Sequence, residues 1–145
     1  MKDSTGYPKR SILVSMLVVA SLAFLLCIVS YVDKVQNDSG FCDVTGSNCG
    51  SVQNSSYSSF FGVDLNLLGA LGFFLFIVLL VFRLLNPKAI MGWLILLGSV
   101  VAGVFAIYLI VVQVFVLKQT CLYCMMIDSL SILLLGLTLY SLFHR

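Results

Sequence analysis

The sequence predicts an all-α integral membrane protein, a bundle of four transmembrane helices with an outer loop between the first two. Three observations carry that prediction. Of the 145 residues, 61% are hydrophobic and 10% are charged, which leaves too little polar surface for a soluble domain of this size. The charges are clustered, so that long stretches carry none. The basic residues fall at alternate ends of those stretches, as the flanks of successive membrane crossings do.

The first stretch runs from Ser11 to Val32, 22 residues without a charge. Lys2, Lys9 and Arg10 precede it, as in a secretory signal, but it is long for such a signal's apolar region. Val29-Ser-Tyr-Val32 leads straight into Asp33 with no clear small-x-small cleavage site, so a retained helix is predicted over 11–32. The second and third stretches are Leu65–Phe82, 18 residues, and Ala89–Leu117, 29 residues. Pro87, within Arg83-Leu-Leu-Asn-Pro-Lys88, makes the tight turn between them. From Gln119 to His144 the only formal charge is Asp128, which gives a fourth helix over 120–143. A span needs about 20 mostly apolar residues, and each stretch qualifies by length. Gly69, Gly72, Gly92, Gly98, Ser99 and Gly103 supply small surfaces on helices two and three where neighbours can approach closely. One domain, residues 1–145, is expected.

Lys2, Lys9 and Arg10, Arg83 and Lys88, and Arg145 place both termini and the 83–88 turn in the cytoplasm. The outer loop, 33–64, holds Asp33, Asp38, Asp43 and Asp64 against Lys34 alone, and the other outer connection holds Lys118. The partner implied by this composition is a lipid bilayer. No basic stretch suggests nucleic acid.

Five cysteines divide into one and four. Cys27 lies among Leu25, Leu26 and Ile28 and reads as a small hydrophobe. Cys42 and Cys49 fall in the outer loop, and Cys121-Leu-Tyr-Cys124 stands at the mouth of helix four. Outside the cytoplasm paired cysteines persist as disulfides, and an i,i+3 pair at a helix start brings both sulfurs to one face. Three readings are open: static staples for the loop, a four-thiolate zinc site, or two dithiol pairs that exchange through mixed disulfides and hand electrons to a hydrophobic acceptor such as a quinone. Asp128 lies four residues beyond Cys124 on the same helical face, about 6 Å deeper at 1.5 Å per residue. A carboxylate in a span costs about 2.5–3.5 kcal/mol on insertion scales, so it faces the bundle interior and often serves function. Donation of a hydrogen bond or proton to a quinone oxygen is the expected role, against a packing bond to another helix. Asn66, at the entrance to helix two, is a second candidate quinone contact.

Cys42-Asp-Val-Thr-Gly-Ser-Asn-Cys49, then Ser55, Tyr57, Phe61-Gly62 and Leu68-Gly69, completed by Cys121-Leu-Tyr-Cys124, resemble the vitamin K epoxide reductase family over nearly the whole chain. The resemblance implies a thiol–quinone oxidoreductase that supports disulfide formation in exported proteins. It implies that Cys124 lies next to the quinone, and that Cys121 is its disulfide partner and can instead pair with Cys49. Cys42 would exchange with a thioredoxin-like protein, and Ser55 would help anchor the loop over the active site. The acceptor would be ubiquinone, menaquinone or vitamin K. The span between Cys49 and helix two is short, closer to prokaryotic members, which implies a prokaryotic plasma membrane. Many of those members carry a fused thioredoxin-like domain; here a separate thioredoxin-like partner is expected. Asp64 stands where many members have Pro, and Asp128 where animal members place a Tyr. The short loop and Asp128 favour a bacterial-type thiol oxidase over a reductase of vitamin K or its epoxide in a secretory membrane. A reading from another class is a non-catalytic four-span scaffold whose outer loop is held by structural disulfides.

Overall fold

The computed structural model describes residues 10–36, 56, 59–118 and 121–144. Cys42, Cys49 and Ser55, like most of the 33–64 loop, lie outside the described residues. Four helices are present there, each long and apolar enough to cross a membrane: α1 (Arg10–Gln36), α2 (Leu65–Leu85), α3 (Ala89–Val111) and α4 (Leu122–Phe143). In lipid a segment must satisfy its own backbone polar groups, and a continuous helix does so. Before α2 a short antiparallel pair, β1 (Ser59–Phe60) and β2 (Val63–Asp64), pairs Ser59 with Asp64 and Phe60 with Val63. Its two-residue turn has Phe61 at φ 53° and Gly62 at φ 79°. Positive φ at both central positions suits the twist of a tight hairpin, and only Gly62 adopts it without a side-chain penalty.

The buried residues of α1 are Leu13, Met16, Ala20, Ala23, Cys27 and Ser30, spaced alternately three and four apart, which draws one stripe along the helix. Ala70, Phe73, Phe76, Leu80 and Arg83, at steps of three or four, draw such a stripe on α2, and Ile95, Ser99, Gly103 and Ala106 on α3. On α4 the inward stripe carries Asp128, Ser131, Leu134 and Thr138. Large apolar side chains such as Leu25, Leu71, Val104 and Leu133 point outward instead, as lipid-facing residues do. α1 packs along α2 and α4, and α3 along α4, while α2 and α3 are the most sparsely packed of the adjacent pairs.

Two helix ends lie beyond those expected from the sequence, and the third span changes its winding. α1 continues to Gln36 and α2 to Leu85, because the charges that marked their ends are used within the bundle. Arg83 is 4% exposed: its Nη1 donates to the Lys88 carbonyl at 3.1 Å, and a Cβ at Gly92 would stand 2.6 Å from that nitrogen. Gly92 therefore leaves room for a guanidinium that closes the 86–88 turn. The third stretch ends at Leu117 as predicted, but its last six residues, Val112–Leu117, form a π-helical turn. Lys118, at φ 50°, terminates it.

Candidate functional site

The end of the bundle that carries Cys121 is drawn together by two polar links. Lys34, near the end of α1, pairs with Asp64 Oδ2 at 2.6 Å. The other oxygen of Asp64 accepts the Asn66 N–H at 3.0 Å and caps α2, satisfying one of the donors a helix start leaves unpaired. The Tyr123 hydroxyl, inside the Cys-x-x-Cys, donates to Asp33 Oδ2 at 2.8 Å and ties α4 to α1. Asp64, where the family resemblance leads one to expect Pro, is thus both a cap and an ion-pair partner.

Cys121 sits in extended conformation just ahead of α4. It is fully buried, packed with Tyr123 against Leu26, Leu117 and Cys124. Cys124, in the first turn of α4, packs against Cys121, and both are free thiols. Asp128, one turn further in, is 3% exposed and accepts a bond from Gln113 Nε2 at 3.3 Å. Gln113 Oε1 in turn accepts the Cys121 N–H at 3.3 Å. The sulfur pair, the carboxyl and the amide therefore form one connected cluster.

Below that cluster lies a cavity of about 610 Å³, walled chiefly by α2 and α3. Leu68, Phe73, Phe76, Leu97, Ala102 and Phe105 give it apolar sides, whereas Asn66, Gln113, Cys124 and Asp128 place polar groups in its wall. Its size and its few polar groups are those of small-molecule sites. An apolar ring bearing two carbonyl oxygens, with an apolar tail leaving between helices, matches this chemistry. Cys27, a buried thiol on α1, also lines it; a Cβ at Gly69 would stand 3.3 Å from its sulfur.

Of the residues singled out in the sequence, Cys121, Cys124, Asp128 and Asn66 come together here, and Asp128 faces the bundle interior. Cys42, Cys49 and Ser55 lie outside the described residues. Gln113 and Tyr123 escaped the sequence reading. Gln113 is the only amide side chain between Ala89 and Leu117, and seven residues separate it from Ala106 on the buried stripe of α3, a spacing that returns a helix to the same face. Tyr123 carries no comparable signal, since its partner, Asp33, is distant in sequence.

Lipid-facing helices around an apolar cavity, with a cysteine pair at one end, define an integral membrane protein built to bring thiols to a hydrophobic molecule. The sequence model of the vitamin K epoxide reductase family matches residues 14–139, and the chain belongs to that family. It is accordingly a membrane oxidoreductase of the thiol and quinone type, in a family whose enzymes act on quinones. No curated protein sequence is a significant match.

Proposed function

We propose that the chain passes electrons from a reduced thioredoxin-like protein through Cys42 and Cys49 to Cys121 and Cys124, and from there to a quinone, so that disulfides form in exported proteins. The observation that carries this reading is that Cys124 reaches the cavity wall beside Asp128 while packed against Cys121. In the terminal step the Cys121–Cys124 dithiol becomes a disulfide, two electrons and two protons pass to the quinone, and a quinol leaves. Cys42 and Cys49 then reduce that disulfide by exchange through a mixed disulfide and are themselves reduced by the partner's dithiol. Asp128 gives a hydrogen bond or proton to one quinone oxygen, Asn66 is a second contact, and Ser55 anchors the loop. The Cys121 end faces outward, where disulfides persist, and both termini face the cytoplasm. A carboxyl at position 128 and a short loop support ubiquinone or menaquinone as acceptor rather than vitamin K epoxide.

Anaerobic quinone reduction by purified protein in detergent tests this, with dithiothreitol or a reduced thioredoxin-like protein as donor. Cys124→Ser should abolish turnover with either donor. Cys42→Ser should abolish it only with the protein donor. A wild type inactive with ubiquinone, menaquinone and vitamin K epoxide would return the cysteines to a structural role.

A further inference from the structure

Gln113 is 3% exposed and stands in the π-helical turn that ends the third span. Its single amide makes two bonds of opposite sense: the oxygen accepts the Cys121 N–H, and the nitrogen donates to Asp128 Oδ2, each at 3.3 Å. These partners fix which way round the amide lies. Turned over, its NH₂ would face the Cys121 N–H and its oxygen would face the carboxyl. Both partners need it. The Cys121 N–H precedes the first turn of α4, where a helix supplies no acceptor of its own, and the Cys121 side chain makes no cap bond there. The Asp128 carboxyl is buried in a membrane span, where a polar group without a bond is costly.

We propose that Gln113 is a positioning residue for the quinone reaction, an inference that rests on the reading above: it holds the Cys-x-x-Cys backbone and the Asp128 carboxyl on one frame at the cavity wall. Making and breaking a bond between Cys121 and Cys124 asks the Cys121 segment to move, because Cys121 lies outside the helix and Cys124 within it. With its backbone held by Gln113, Cys121 stays within reach of Cys124, and the carboxyl keeps its place relative to both. A bond that merely joined α3 to α4, as Ser99 and Thr138 do at 2.8 Å, would leave the thiol chemistry untouched.

That difference is measurable without quinone. In full-length protein carrying Cys42→Ser and Cys49→Ser, the Cys121–Cys124 pair is equilibrated with dithiothreitol, and its oxidised fraction is read by alkylation and mass spectrometry. Release of the frame lowers the effective concentration of one sulfur at the other. Gln113→Glu should therefore shift the equilibrium toward the dithiol by about tenfold, the factor expected from loss of one hydrogen bond, and Gln113→Leu, which loses both, by at least as much. Gln113→Glu still accepts from Cys121 but sets a second carboxyl against Asp128. Adding Asp128→Asn to it restores a donor–acceptor pair with the polarity exchanged, and should bring the constant back to within about threefold of wild type. Constants for both single variants within threefold of wild type, or a Gln113→Glu shift that Asp128→Asn fails to reverse, would overturn the inference. Shifts that reverse in this way in a protein that turns over no quinone would support the frame while overturning the electron acceptor.

Discussion

The α3–α4 seam and the α2–α3 side of the bundle are both lined by small residues, yet one is closed and the other holds a cavity. At the closed seam a Cβ on Gly103 would come 2.6 Å from Leu135 Cδ2 and 3.3 Å from its Cβ, so the Leu135 side chain occupies the room the glycine leaves. Ser99 and Thr138 meet there as well. On the other side a Cβ at Gly72 would meet nothing within 4 Å, and Gly72 lies exposed at the edge of the cavity. The same residue type thus serves two ends. Where a neighbour's side chain fills the notch, the glycine gives contact; where none does, it gives volume between two helices that face lipid.

The largest stability effect is expected at the closed seam. Gly103→Val forces Leu135 and its helix to shift and should cost about 1–3 kcal/mol, read as a lower Tm of the protein in detergent; an unchanged Tm would show that the seam is loose. Gly72→Phe sharpens the contrast. It should fill the mouth of the cavity with little change in Tm while raising the apparent quinone KM about tenfold, close to 1.4 kcal/mol. Asp64→Ala removes the α2 cap and the Lys34 pair together and should cost about 1 kcal/mol, whereas Asp64→Asn, which can still cap, should cost less. The smallest effect is Ser99→Ala at the seam, about 0.6 kcal/mol in line with hydrogen bonds between helices in membranes.

The comparison also explains what could be read in the sequence. Four spans, the 86–88 turn and the inward face of Asp128 follow from charge-free length and helical spacing, which depend on nothing outside each segment. The small residues of helices two and three could be recognised as sites of close approach, but which would be filled depends on partners far along the chain: Leu135 for Gly103, Cys27 for Gly69, Arg83 for Gly92. Charged residues misled as boundary marks for a related reason. Asp33 and Lys34 end the apolar run, yet the helix continues through them because Tyr123 and Asp64 take up their charges. Gln113 gives a weaker signal, as one polar residue in a long apolar stretch whose partners, Cys121 and Asp128, lie on the next span. The family motif identified Cys42, Cys49 and Ser55 as candidates, and their placement falls outside the described residues.

Whether the quinone is held between α2 and α3, within reach of Cys124, is read by photolabelling with an azido-ubiquinone followed by peptide mapping. Label is expected on cavity residues of α2 and α3, such as Phe73, Phe76, Leu97 and Phe105, suppressed by excess ubiquinone and weakened in Gly72→Phe. Label confined to the lipid-facing surface of α1 or α4, insensitive to competing quinone, would contradict that placement.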